Sequence, residues 1–315
     1  MTSIAILCGG PGSEHEVSLH SGENVYRAAV SLGYEAYKVL LEKDGVWTID
    51  NQKVSERKAL SFLKEKRVLV IPVIHGTYGE DGILQDLLEK NDIRYAGSVG
   101  EVMKLTIDKY ATGEILSANA IRVPQSVVFD RRDPPRYILP FPYPVIVKPR
   151  NEGSSVSLYK VQDQTKLQEV LAEELEKRGQ VLIQECVVGR EFTCGVVELD
   201  GKLQPLPPTE VMLTKGDLFD YNAKYNVGGC QEITPANIPT DLLERIQALA
   251  IQVHTICGCK DISRTDMILN EQSELVVLEI NTIPGMTETS FIPAQLQAAG
   301  FTLSDFVKSM VVKYS

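Results

Sequence analysis

The chain has 315 residues, 43% of them hydrophobic and 23% charged, which is enough apolar material for a packed core and enough length for two or three domains. Acids outnumber bases 42 to 32, for a net charge of −10 and a pI near 5.1, and this excludes a broad basic face for nucleic acid while leaving room for a local basic pocket. No stretch nears the ~18 apolar residues that span a bilayer, and Met1–Cys8 lacks the basic region and long apolar run of a signal peptide, so a cytoplasmic location with no membrane partner is expected.

Residues 3–8 form a short apolar run that ends in Gly9-Gly10-Pro11-Gly12, the pattern of a buried parallel strand and its turn. Ser18 to Leu32 carries Leu19, Val25, Ala28, Ala29 and Leu32 at helical spacing. Residues 34–41 and Val68–Ile74 read as further strands, and Ile83–Lys90 as a helix. This alternation predicts an α/β fold that begins with an open parallel sheet covered by helices. Asp108–Ala118 reads as a helix, broken by Val123-Pro124, and the stretch from Arg131 to Pro144 as a surface loop. Pro144–Lys148 is expected to be a strand, Asn151–Ser157 a loop, Lys166–Arg178 a helix and Val181–Glu185 a strand. A hairpin follows around Asp200-Gly201, then a helix over Asp241–Cys257. Strands over Ser263–Leu269 and Glu274–Ile280 and a last helix over Ser304–Lys313 complete the pattern.

Several familiar motifs are near misses. His15 stands where the dinucleotide fingerprint wants glycine, and GxxxxGK[ST] is absent. His15 and His20 are five residues apart, so on a helix they diverge by ~140° rather than the ~40° of a four-residue spacing, and one metal cannot easily take both. The cysteines at 8, 186, 194, 230, 257 and 259 form no CxxC pair and read as small buried or half-buried thiols in a reducing compartment.

Two constellations stand out. Arg264 and Asp266 share one face of a strand, and Glu279 and Asn281 share a face of the next. If the strands pair, two carboxylates and an amide oxygen converge, a hard-oxygen set suited to Mg2+. A solvated strand face is the bland reading, but Met267, Ile268, Val276, Val277, Leu278 and Ile280 make these strands look interior, where acids need partners or metal. Positive charge comes from Lys109 on a helix and from Lys148 at the end of Val145-Ile146-Val147. The loop Asn151-Glu152-Gly153-Ser154-Ser155-Val156 follows, and a Gly-Ser loop can approach phosphates closely. Together the two sets suggest a nucleoside triphosphate with metal.

The sequence resembles the D-alanine–D-alanine ligases. The resemblance rests on Ser13-Glu14-His15-Glu16-Val17-Ser18-Leu19, on His75-Gly76 with Gly79-Glu80-Asp81-Gly82, and on Val147-Lys148-Pro149 with Glu152-Gly153-Ser154-Ser155-Val156. It rests also on Glu279 to Thr287, and the motifs keep their order over nearly the whole chain. It implies a mixed α/β, α+β protein of three-domain ATP-grasp architecture: an N-terminal parallel-sheet domain (1–100), a central domain (101–185) and a C-terminal domain (186–315). The implied reaction joins two D-alanine molecules through an acyl phosphate, for peptidoglycan precursor synthesis, in a cytoplasmic homodimer. D-serine and D-lactate are the alternative second substrates. By resemblance, ATP is bound by Lys109, Lys148, Gln184, Glu185, Val187, Glu191 and Lys224, and two Mg2+ ions, with Mn2+ as a substitute, by Asp266, Glu279 and Asn281. Arg264 and the Gly285 N–H stabilise the oxyanion, Glu14 holds the first ammonium beside His75, and Ser290 anchors the second carboxylate. Glu14, Ser154 and Tyr225 form a linked trio, with Lys224 and Tyr225 on a lid over residues 209–230. Gln184 stands where relatives often carry an acid at the adenine-contacting strand end, and Ile283 and Phe291 bring bulk to the second-substrate pocket.

Overall fold

Alternation of side chains decides the first sheet. In the computed structural model of the protein, which describes residues 2–132, 138–153, 157–213 and 230–315, strand β1 (Ile4–Gly9) sends Ile4, Ile6 and Cys8 into one apolar core and Ala5 and Leu7 into another. A strand buried on both faces reads as a continuous apolar run, as this one does. It pairs in parallel with β2 (Ala36–Leu41) on one side and β5 (Leu69–Pro72) on the other. The expected parallel sheet is therefore present, but it also carries an antiparallel edge hairpin, β3 (Trp47–Ile49) and β4 (Gln52–Val54), beyond β2. Helices α1 (His15–Ser31), α2 (Glu56–Glu65) and α3 (Ile83–Lys90) complete this segment.

The joint between β1 and α1 is tight. Gly9 and Gly10 both have positive φ, and a Cβ on Gly9 would come within 2.3 Å of the Leu41 carbonyl oxygen, so only glycine fits there. The Ser18 hydroxyl on α1 accepts from the Gly9 N–H at 2.8 Å and donates to the Val73 carbonyl at 2.7 Å, fixing the helix start against the ends of two strands.

Helices α4 (Gly100–Ile107) and α5 (Lys109–Ala118) meet at Asp108, whose carboxylate caps α5 through the Tyr110 and Ala111 N–H groups. A four-stranded antiparallel sheet follows, in the order β6 (Ser126–Asp130), β9 (Gln180–Glu185), β7 (Val145–Lys148), β8 (Tyr159–Val161). Its inner face packs Val145, Val147, Val181 and Ile183 on Leu167, Val170 and Leu171 of α6 (Gln164–Arg178). The stretch from Arg131 to Pro144 is not uniformly a surface loop: Phe141 is buried in this same core.

The third sheet is antiparallel, β13 (Cys230–Ile233), β12 (Thr209–Leu213), β10 (Gly189–Leu199), β14 (Ile262–Asn270), β15 (Leu275–Asn281), with β11 (Lys202–Pro205) also paired to β10. Helices α7 (Thr240–Ile256), α8 (Phe291–Ala298) and α9 (Leu303–Lys313) pack against it or flank it. Helix α9 also packs on α1, and one core joins Ile4, Ile6, Val25 and Ile71 to Met286, Ile292, Phe306, Val307 and Met310. Of the residues 209–230 read as a lid, 214–229 lie outside the described residues, as do Ser154, Lys224 and Tyr225.

Candidate active site

The two antiparallel sheets face each other across a cleft of about 840 Å³. The central sheet presents the face opposite its core, with Ile146 paired to both Gln184 and Lys160, and Lys148 two residues further along β7. The third sheet presents Glu191 from β10, Arg264, Asp266 and Ile268 from β14, and Glu279 and Asn281 from β15. In the β14–β15 ladder Asp266 lies opposite Glu279, and Arg264 opposite Asn281. The conditional pairing inferred from sequence is realised, and directly opposed residues share a face. The register then shifts past Asp266, where Met267 pairs with Val277 and Leu278 is left over. This bulge lets Leu278 and Glu279, neighbours in sequence, both line the cleft.

Opposite charges crowd together in the cleft. Arg264 grips Asp266 with two hydrogen bonds of 2.9 and 2.7 Å, and the Thr193 hydroxyl donates to the same carboxylate at 2.5 Å. Lys109 Nζ lies 3.5 Å from Glu279 and donates to the Glu152 carbonyl at 2.6 Å. Burial pulls the Lys148 ammonium down to about 8, with Glu279 opposing the drop and Lys109 adding to it. Burial pushes the Glu191 carboxyl up to about 8, and the charges of Asp266 and Glu279 push the same way. Asp266, Glu279 and Asn281 offer oxygen donors from one face, beside a carboxyl that their own negative field helps to keep protonated. A hard cation fits such a field, and Mg2+ typically takes one or two carboxylates and completes its shell with water and phosphate oxygens. Among the described residues no group of three His, Cys, Asp or Glu side chains is placed to hold a metal ion.

Lys109 is aimed by its surroundings. Arg150, just after β7, holds the Asp108 carboxylate at 2.9 and 2.6 Å, and the Lys109 N–H donates to the Arg150 carbonyl. On the adenine-side rim expected from sequence, Glu185 is committed to Arg122 at 2.9 and 3.0 Å and to the Gln125 N–H. Gln184, 5% exposed, donates its amide N–H to Ser126 at 2.8 Å, while Ser126 donates to the Pro124 carbonyl. That orientation leaves Gln184 Oε1 as its free-type acceptor, the polarity that an adenine amino group requires.

At the other end of the cleft Glu14 lies close to two glycine backbones, such that a Cβ on Gly76 or Gly153 would stand 3.2 or 3.5 Å from Glu14 Oε2. His75 is buried, with Nδ1 2.8 Å from the Ile283 carbonyl and Nε2 3.0 Å from the Ser21 hydroxyl. Glu80 accepts from the Gly76 N–H at 2.8 Å and the Ile283 N–H at 3.2 Å. Burial first, then the neighbouring Glu14 charge, raises its carboxyl to about 7. Ser290 stands at the N-terminus of α8, where unpaired N–H groups favour a carboxylate. The Phe291 ring lies 5.4 Å from the Arg264 guanidinium and lines the cleft, whereas Ile283 lines a smaller cavity behind it.

All fourteen described residues chosen from sequence line this one cleft: Glu14, His75, Lys109, Lys148, Gln184, Glu185, Val187, Glu191, Arg264, Asp266, Glu279, Asn281, Gly285 and Ser290. Ser154, Lys224 and Tyr225 lie outside the described residues. Sequence reasoning gave no role to Glu80, Asn24 and Lys160, which line the cleft too. Glu80 had a signal, since it sits inside a recognised motif.

A lysine-bearing antiparallel sheet closed over an acid-bearing one, with an α/β segment capping one end of the cleft, defines an ATP-grasp ligase, a class that uses ATP and a divalent metal. The family model described as D-ala D-ala ligase N-terminus matches residues 3–98, and that described as D-ala D-ala ligase C-terminus matches residues 135–312. The chain is 36% identical to the D-alanine–D-alanine ligase of Azobacteroides pseudotrichonymphae genomovar. CFP2, over 99% of both chains. It is 35% identical to that of Phocaeicola vulgatus, over 98% of both. Among solved structures, the VanG D-Ala:D-Ser ligase from Enterococcus faecalis superposes with a TM-score of 0.85 at 27% identity, covering 100% of this chain and 99% of that one. The chain belongs to the D-alanine–D-alanine ligase family. Among the described residues no helix is long and apolar enough to cross a membrane.

Proposed function

We propose that the cleft residues divide the ligation of two D-alanine molecules among them as follows. ATP supplies the phosphoryl group, and Lys109 and Lys148, with Lys224 from outside the described residues, hold its phosphates. Glu14 binds the ammonium of the first D-alanine, whose carboxylate takes the γ-phosphoryl group to give an acyl phosphate. Ser290 at the α8 N-terminus holds the carboxylate of the second D-alanine, and its amine attacks the acyl carbon. Arg264 and the Gly285 N–H stabilise the oxyanion, and phosphate leaves. Asp266, Glu279 and Asn281 would hold divalent metal, which neutralises charge on the transferred phosphoryl group. The observation that carries this reading is the register that sets Asp266 opposite Glu279, across the cleft from Lys148.

The reading includes two Mg2+ ions, replaceable by Mn2+, the domain division at 100/101 and 185/186, a homodimer and a cytoplasmic site of action. The test is ADP release with Mg2+ and each candidate substrate. D-alanine triggers it and L-alanine does not; equal turnover with both enantiomers removes the assignment. D-serine and D-lactate as second substrates are separate arms, and faster mixed-product formation with either names the second substrate instead.

A further inference from the structure

The turn that runs from Asn281, the last residue of β15, to α8 carries Gly285 and Ser290, yet the strand ladder ends at Asn281 and the helix begins at Phe291. Four side chains from the first 80 residues hold the backbone between. Glu80 accepts from the Ile283 N–H at 3.2 Å, and His75 donates to the Ile283 carbonyl at 2.8 Å. Ser21 accepts from the Met286 N–H at 3.1 Å, and Asn24 donates to the Met286 carbonyl at 3.0 Å. Ile283 and Met286, the residues on either side of Pro284-Gly285, are thus each held at both N–H and C=O.

The bonds also form a directed chain. A carbonyl only accepts, so His75 carries a proton on Nδ1, and in the neutral ring Nε2 accepts from the Ser21 hydroxyl at 3.0 Å. Ser21 donates to the ring while its oxygen takes the Met286 N–H, so each bond polarises the next. Ser21 is wholly buried, and losing its hydroxyl strands the Met286 N–H.

We propose that Ser21 and Asn24, on helix α1, are positioning residues for the reaction: by fixing Met286 they hold the adjoining Pro284–Gly285 peptide in the turn, and with it the Gly285 N–H that serves the oxyanion. This rests on the oxyanion role of Gly285 given above. An oxyanion donor acts only at its correct position, and removing one outright slows catalysis by about 10²–10³-fold. Loosening its support should act in the same direction and more weakly.

The test compares Ser21→Ala, Asn24→Ala and the double variant with the unaltered chain. Read out are kcat, the Michaelis constant for ATP, ADP affinity, the thermal midpoint, and affinity for a phosphinate analogue of the tetrahedral intermediate. Expected is a fall in kcat of about tenfold per variant, with phosphinate affinity falling in proportion and ADP affinity within about twofold. Asn24→Ala, at a part-buried position, keeps the test open if Ser21→Ala misfolds. Unchanged kcat in a folded Asn24→Ala variant overturns the proposal. So does a fall in kcat matched by ADP affinity but not by phosphinate affinity, the pattern of a purely structural role. If the unaltered chain shows no D-alanine-dependent ADP release, the ligase reading fails first and this one with it; if that chain is active and the variants match it, this inference alone fails.

Discussion

Gly285→Ala separates a contact from a coincidence. Gly285 is not in the left-handed region, so alanine strains no backbone there, but its Cβ would stand 2.6 Å from Ser290 Oγ and 3.3 Å from Ser290 Cβ. The hydroxyl must turn away. It then loses the Thr287 N–H, which it accepts at 3.1 Å, and Thr287 Oγ1 at 2.7 Å. It also loses the carboxylate of the second D-alanine, a charge-assisted bond worth about 1.5–3 kcal/mol. That converts to a rise of roughly 10- to 150-fold in the Michaelis constant of the second D-alanine. Ser290→Ala deletes the same hydroxyl, so the two substitutions remove one interaction by different routes. In a double-mutant cycle the double variant should cost no more than either single, with a coupling energy of about 2 kcal/mol. The assay is ADP release against D-alanine concentration, with the Michaelis constant of ATP as control. Multiplying costs in the double variant, or an unmoved D-alanine constant in Gly285→Ala, would show that Ser290 does not anchor the substrate.

Glu279→Gln removes one of the two carboxylates, Asp266 and Glu279, that oppose each other in the ladder, and with it the acid beside Lys109. It should lower kcat by about 10²-fold or more with the thermal midpoint retained, and near-normal rate at ordinary Mg2+ would remove the metal role. Lys148 should make nucleotide binding pH-linked. Its folded pKa is about 8 against an ordinary 10.5, so between those values the unfolded chain holds the proton and the folded apo chain does not, and stability gains with rising pH there. Bound phosphates favour the ammonium, so ADP binding at pH 9 should take up a proton, each pKa unit regained being worth about 1.4 kcal/mol. Calorimetry in two buffers of different ionisation enthalpy reads the uptake; none at pH 9, or the same uptake in Lys148→Met, would exclude Lys148 as its source.

What the sequence made legible followed its periodicities. A period of two put Arg264 with Asp266 and Glu279 with Asn281 on common faces, and the ladder obeys it. The bulge at Leu278 has no local signature, so its effect on which neighbours face the cleft was out of reach. The edge hairpin β3–β4 is only three residues per strand, with Gln52 and Lys53 exposed, and offers no apolar run to detect. Helix α4 was missed because Asp108 marks a start for α5 and nothing equally clear ends α4 before it. In the cleft, the residues with standard chemistry were found and the supporting ones were not. Ser21 and Asn24 are ordinary helix residues in sequence, and their shared partner, Met286, lies more than 250 positions away. The side chain of Glu185, which lines the cleft, is held by Arg122, a long-range pairing that no spacing rule announces.

The core that unites β1, α1 and α9 sets an order on biogenesis. Ile4, Ile6, Val25 and Ile71 leave the ribosome well before the residues that cover them, Met286 to Met310. Roughly 200 residues separate the two groups, and at ~5–20 residues per second the nascent chain waits on the order of 10–40 s for its lid of apolar side chains. During that interval the core shared by β1, β5 and α1 is covered only in part, and transiently exposed apolar surface of that kind is what chaperones bind. The central sheet, with its own core on α6, can close while the first is still waiting.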